Sequence, residues 1–471
     1  LLIDTLNIGF SLYIKEVAMN YLIKHARAIY SSQSDCQDIR IGDGVITELG
    51  CDLQPAEGEQ LVDASRCVIY PGFVNTHHHI AQSLLKGIPA GINDGLGDWL
   101  AHVPYRYWPQ ITPDVMYHAA KLGFYELLRS GATTCADHHY LYHAKSSQEV
   151  EAAVWQAAEE MGIRLVLCRG GATVKGTHKG LLKAGVEPEP LDLMIKRLEE
   201  SRQRYHQSGD NPMRRLVVAP TTIVHSATPT DLKILAEYAR SHQLRLHSHL
   251  LEVEFDQQQA LTKYGQTAVE YAQSCDWLGE DVWFAHLVKA GPADIALLAE
   301  TKTGVAHCPT SNCRLGSGIA PVINMAKAGM PISLGVDGSA SAESGSMLQE
   351  LNLAWLLHRS QHGASATTID GVLDWATAGG ASILGLHNLG RIEIGAAADL
   401  VLYDIQQPRM AGCHSEIIAP IACGEPAKIQ ASFVNGKLVY KHNNEEDYEE
   451  LVVKVRESIH HLNQKVAQLG V

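Results

Sequence analysis

From residue 20 to residue 70 the apolar positions come in short alternating runs, at Tyr21-Leu22-Ile23, Asp38-Ile39-Arg40-Ile41 and Val45-Ile46-Thr47-Glu48-Leu49. A period of two predicts strands, and Gly42-Asp43-Gly44 between the last two predicts a hairpin. The same signature returns at the far end, at 398–404, 431–434 and 437–440, with Asn435-Gly436 as the turn. Two half-sheets so far apart predict a small β-sandwich domain formed by both termini, 19–70 together with 392–444. Between them the pattern alternates. Apolar runs predict buried strands at 67–77, 132–138, 163–168, 216–220, 244–249, 282–286, 304–307 and 331–337. Helical spacing fills the gaps, for example at 113–129, 149–161, 191–206, 229–242 and 347–358, with Thr112-Pro113 and Thr228-Pro229 as helix starts. Eight strands with intervening helices predict an α/β fold, a (β/α)8 TIM-like barrel over 71–391 inserted in the sandwich. The competing doubly wound sheet lacks a Gly-x-Gly-x-x-Gly after an early strand.

The ends add little chemistry. Beyond Asn444 an acidic turn leads into a helix, 445–471, whose positions Leu451, Val452, Val455, Ile459 and Leu462 predict packing on the protein itself. Residues 1–18 read as an extension ahead of Met19, without the basic start or small-residue cleavage site of a signal peptide.

Composition narrows the function classes. The chain has 471 residues, 46% of them hydrophobic and 19% charged, an ordinary globular balance. Its formal net charge of -14 argues against a nucleic-acid backbone as partner and leaves small molecules. Ten cysteines, scattered without a Cys-x-x-Cys, suit a reducing cytoplasm better than a disulfide framework. No run of 18 apolar residues predicts a membrane span.

Polar residues then recur at one kind of place. In Pro71-Gly72-Phe73-Val74-Asn75-Thr76-His77-His78-His79 the alternation of a strand puts His77 and His79 on one face and His78 on the other. His-x-His alone is half a metal site. His249, His286 and Asp337 close the fifth, sixth and eighth predicted strands, at the barrel face where such folds build their sites. Neutral imidazoles with a carboxylate suit one divalent ion, Zn(II) or Fe(II), with an open position for water. Glu252, three residues past His249, is placed to carry protons. His247 shares a strand face with His249, and spacing does not choose between them as ligands.

These residues and their surroundings resemble the amidohydrolase superfamily, within it the cytosine/guanine deaminase-like and chlorohydrolase-like enzymes. The motifs that carry the resemblance are the His77-His78-His79 stretch, His247-Ser248-His249-Leu250-Leu251-Glu252, Ala285-His286, His307-Cys308-Pro309-Thr310-Ser311-Asn312 and Gly335-Val336-Asp337-Gly338-Ser339. Asp281 to His286 and Thr303 to Pro309 are most similar to the enzymes that deaminate isoxanthopterin and 8-oxoguanine. The resemblance implies metal ligands at His77, His79, His249 and Asp337, and catalytic roles for Glu252 as proton shuttle, His286 as orienting group and Asp337. It implies a base-reading role for Gln82. The arginine that guanine deaminases carry after the fourth strand has no counterpart in Pro220-Thr221-Thr222-Ile223-Val224-His225, and 216–220 lacks the lysine of binuclear members, which implies a single ion. The expected activity is hydrolytic deamination of a fused heteroaromatic ring, a pterin or an oxidised purine, by a cytoplasmic homo-oligomer. A triazine-type hydrolase releasing alkylamine or chloride is the alternative within the same fold, and a non-enzymatic protein with a structural ion the alternative outside it. Trp99, Arg169, Thr222 and His225 are expected near the pocket.

Overall fold

The computed structural model describes residues 20–33, 36–176, 186–442 and 446–468. The expected extension at 1–18, Met19 and the acidic turn at 444–445 lie outside the described residues. In chain order the strands are β1 (Tyr21–Lys24), β2 (Ala28–Ile29), β3 (Asp38–Gly42), β4 (Val45–Gly50), β5 (Gln60–Asp63), β6 (Cys67–Pro71), β7 (Phe73–His79), β8 (Ala132–His139) and β9 (Arg164–Arg169). They continue as β10 (Arg214–Val218), β11 (Leu246–Leu250), β12 (Val282–His286), β13 (Gly304–His307), β14 (Ile332–Leu334), β15 (Asp337–Gly338), β16 (Leu400–Asp404), β17 (Ile429–Val434) and β18 (Lys437–Lys441).

β7 to β15 make one parallel sheet in the order β14-β13-β12-β11-β10-β9-β8-β7-β15. β14 pairs with β13 and β15 pairs with β7, so the two are halves of one eighth strand and the sheet closes into a barrel. The eighth strand expected at 331–337 is thus broken, at Gly335 and Val336. The reason is crowding: a Cβ on Gly335 would stand 2.8 Å from the Cβ of His77, so only glycine lets this backbone pass. Asn75 Oδ1 accepts the Val336 N–H at 3.1 Å and stitches the break to β7. Below the mouth the barrel is filled by Val74, Ala136, Val166, Val217, Trp283 and Ala306. Helices cover the outside, and Thr112 and Thr228 accept the N–H groups of Val115 and Asp231, as the sequence predicts for helix starts.

The terminal strands form two further sheets, β4-β3-β1-β5 and β18-β17-β16-β6-β2. Tyr21, Ile39 and Ile46 of one share an apolar cluster with Ile69, Leu400 and Phe433 of the other. β6 ends at Pro71 and β7 begins at Phe73, so the first barrel strand leaves directly from this anchored sheet. The helix Glu446–Gln468 lies on Pro113–Arg129, burying Val455, Leu462 and Val466. Val452, expected in its apolar stripe, is instead 44% exposed, because it sits a full 100° around the helix from Leu451. No helix among the described residues is long and apolar enough to cross a membrane.

Candidate active site at the barrel mouth

Strand alternation does what the sequence implies: His77 and His79 point into the barrel, while His78 turns the other way and accepts the His79 N–H on its Nδ1 at 2.7 Å. Across the mouth, His79 Nε2 lies 3.1 Å from His249 Nε2. Asp337 Oδ1 lies 3.4 Å from His77 Nε2 and 3.3 Å from His79 Nε2. Asp337 reaches this point through a left-handed turn, with φ of 64°, and His286 likewise has φ of 76°. Such conformations are costly for residues other than glycine and cluster where a site demands them.

The tautomers are settled by what each ring touches on its far side. His79 Nδ1 donates to the His138 carbonyl at 2.8 Å, and His249 Nδ1 donates to the Thr221 carbonyl at 2.6 Å. Their Nε2 lone pairs therefore face each other at a separation that is repulsive without a cation between them. His77 Nε2 is fully buried and makes no hydrogen bond. Burial pushes the His77 imidazole down to about 4 and holds His249 well below its ordinary value, so both are neutral donors at pH 7. Burial works against the Asp337 carboxylate, but the imidazoles of His77, His286 and His79 beside it outweigh burial and hold it well below the usual range. Neutral imidazoles and an ionised carboxylate with converging, unpaired atoms fit a divalent ion of borderline softness. His247, which spacing left open as a ligand, faces His77 rather than this point, with its Nε2 at 2.8 Å from His77 Nδ1.

Beside these donors stand two further ionisable groups, Glu252 and His286. Glu252 Oε2 is 3.5 Å from His286 Nε2, and its Oε1 accepts from Ser317 Oγ at 3.4 Å. Burial, reinforced by Asp337 and Asp256 and opposed by His286, pushes the Glu252 carboxyl up to about 7. Its backbone N–H is held by Asp256 Oδ2 at 3.2 Å. His286 Nδ1 donates to Asn312 Oδ1 at 2.9 Å, and Ser311 Oγ donates to Asp337 Oδ2 at 2.6 Å. Both partners come from the short helix Pro309–Arg314 that follows β13.

These groups open into a cavity lined also by Gln82, Trp99, Tyr105, Tyr140, Thr222 and Leu315. Its mixed apolar and polar lining suits a flat heteroaromatic ligand. Of these lining residues, Gln82 Oε1 and Trp99 Nε1 are buried without hydrogen-bond partners. Arg169 is not part of the wall: it is buried in a paired contact with Glu189 at 2.6 and 2.8 Å, over the ring of Tyr142. His225 stands one layer back, 3.0 Å from Asp256 Oδ1. The structure adds residues that sequence reasoning did not assign. Asn312 and Ser311 lie in a motif already conspicuous in the sequence, whereas Asp256 and Tyr140 carry no signal outside the fold. His138 ends a predicted strand, and its ring lies 4.7 Å from that of His249, with both nitrogens buried and unpartnered.

Residues 68–439 match the amidohydrolase family. The chain is 44% identical over 417 residues to an isoxanthopterin deaminase from an unknown prokaryotic organism, covering 85% of this chain and 86% of the relative. It is 38% identical over 387 residues to an 8-oxoguanine deaminase from Pseudomonas aeruginosa, covering 81% and 85%. Among solved structures, an amidohydrolase from a Sargasso Sea environmental sample superposes with a TM-score of 0.82 at 38% identity, covering 95% of this chain and 100% of that one. The zinc complex of an atrazine chlorohydrolase from Arthrobacter aurescens superposes with a TM-score of 0.85 at 26% identity, covering 93% and 100%.

Proposed function

The chain belongs to the amidohydrolase family, and from that premise we propose that it is a metal-dependent aminohydrolase that removes an exocyclic amino group, as ammonia, from a pterin such as isoxanthopterin or an oxidised purine such as 8-oxoguanine. The observation that carries the reading is the convergence of His77, His79 and Asp337, with His249 Nε2 3.1 Å from His79 Nε2, beside a carboxyl pushed up to about 7. We assign those four side chains as the ligands of one divalent ion. Zinc is our choice over iron, supported by the donor set and by the zinc held in the atrazine chlorohydrolase. When bound, the ion supplies Lewis acidity that readies water for attack at neutral pH.

The remaining chemistry falls to the chain's own residues. Glu252, poised near neutrality, delivers a proton to the ring nitrogen next to the amino-bearing carbon, making that carbon electrophilic. Asp337 Oδ2, 4.0 Å from His286 Nε2, is placed to take the proton of the attacking water and return it to the departing ammonia. The C–O bond forms first at the amino-bearing carbon, the C–N bond breaks as ammonia leaves, and the second proton of the water restores the one that Glu252 gave up. His286 has its Nδ1 proton committed to Asn312, so its Nε2 stabilises a developing oxyanion only when it carries a second proton. Gln82, in the cavity wall, is assigned to read the base.

The triazine-type alternative is represented at 30% identity by an alkylaminohydrolase and at 26% by the chlorohydrolase, against 44% for the pterin-acting relative, and the deaminase reading is preferred on that ground. We also carry forward the domain layout of barrel, two-ended sandwich and C-terminal helix, a homo-oligomeric state, and a cytoplasmic setting supported by cysteines that are all free. The test is ammonia release from isoxanthopterin, pterin, 8-oxoguanine, guanine and cytosine, with metal content measured on the same preparation. Protein carrying one ion per chain and inert towards the whole panel would refute the proposal.

A further inference from the structure

A histidine that binds an ion through Nε2 needs its Nδ1 proton engaged elsewhere, because that bond fixes both tautomer and ring orientation. For His79 and His249 the partner is a backbone carbonyl, which can only accept. His77 differs. Its Nδ1 meets a ring nitrogen, His247 Nε2, at 2.8 Å, and a ring nitrogen can play either part.

The choice is made one residue further on. His247 Nδ1 lies 2.9 Å from the Trp283 carbonyl, so it must donate there, which leaves its Nε2 bare. A bare Nε2 accepts the proton of His77 Nδ1, and His77 Nε2 is left with its lone pair towards Asp337 and His79. The relay has little room to rearrange. Both imidazoles are 0% exposed, and the His247 ring stacks on the Trp283 indole at 4.4 Å and 14°. The indole is itself tied to the first strand, donating from Nε1 to the Thr76 carbonyl at 3.1 Å. His247 has no second free nitrogen to offer an ion.

We propose that His247 is a positioning residue that transmits the acceptor character of the Trp283 carbonyl to His77, and in this way sets how tightly the centre holds its ion. This rests on the metal reading above. The substitutions that separate a tautomer lock from mere packing are His247→Phe, which keeps a flat ring against Trp283 and removes the acceptor, and His247→Gln, whose amide again accepts from His77 and donates to Trp283.

Zinc affinity, measured by competition with a chromogenic chelator on metal-free protein, is expected to weaken about 10- to 100-fold in H247F. In H247Q it should return to within about threefold of wild type. Thermal midpoints of the metal-free forms provide the folding control. Affinity in H247F within about threefold of wild type overturns the proposal, and so does an H247Q that loses as much as H247F. If H247F does not fold, ring-nitrogen NMR of the zinc-loaded wild type decides: a bare His247 Nε2 supports the relay and a protonated one overturns it. Wild-type protein that binds no zinc at all would instead refute the metal reading, a different and separable failure.

Discussion

Replacing Glu252 by glutamine is expected to move activity and stability in opposite directions. The carboxyl is 6% exposed and titrates near pH 7 in the folded chain, against an ordinary value of 4.5. Below about pH 4.5 it is protonated folded and unfolded, and contributes nothing to the pH dependence. Between 4.5 and 7 the folded state binds the extra proton, so stability falls as pH rises. Above 7 the full cost of burying the charge is present, on the order of 3 kcal/mol for the metal-free protein at about 1.36 kcal/mol per unit. Glutamine carries no charge and can still accept from Ser317 Oγ, so E252Q should be more stable than wild type at pH 8 and indistinguishable from it at pH 4. Its catalytic fate is the reverse. A positioned proton carrier is worth about 10²- to 10⁴-fold, or roughly 3 to 5 kcal/mol of barrier, and E252Q should lose that much kcat while keeping its metal. Denaturant melts of the metal-free proteins at pH 4, 6 and 8, with ammonia release by the metal-loaded ones, read both effects. E252Q within about tenfold of wild-type kcat would end the proton-carrier assignment. A stability gap that does not open with pH would end the burial account.

Other perturbations test separate parts of the site. Glu350 is buried behind the helix that presents Ser311 and Asn312, where its Oε2 accepts the Thr310 N–H at 3.1 Å and burial pushes it up to about 8. E350Q should therefore gain stability over wild type progressively from pH 4.5 to 8, by an amount on the order of 5 kcal/mol at the top, and an equal melt at pH 9 would contradict this. Q82L removes the amide from the cavity wall and should lower kcat/KM by tenfold or more, about 1.4 kcal/mol upward, with metal content unchanged. Asp337→Asn should abolish turnover and weaken metal binding together, whereas E252Q should affect turnover alone; metal analysis beside kinetics tells the two apart. Chelation should lower the thermal midpoint of the wild type, since an ion at a hundredfold over its Kd stabilises by about 2.7 kcal/mol.

Periodicity alone determined the alternation of strands and helices, the barrel, and the pairing of His77 with His79, because a strand's period of two is a property of the local backbone. The motif residues Glu252, His286 and Asp337 stood out for a related reason: His286 and Asp337 close predicted strands and Glu252 lies three residues past another, and strand ends in such a barrel share one rim. What the sequence left open were matters of contact between segments far apart. Spacing could not separate His247 from His249, and the packing of one against Trp283 and the other against Thr221 did so. Arg169 carried the look of a pocket residue until Glu189 claimed it. The break at Gly335, the acceptor on Asn312 and the orphaned ring of His138 arise only where chains separated by dozens or hundreds of residues come within a few ångströms. Such proximities follow from closing the barrel, and no local stretch of sequence contains them.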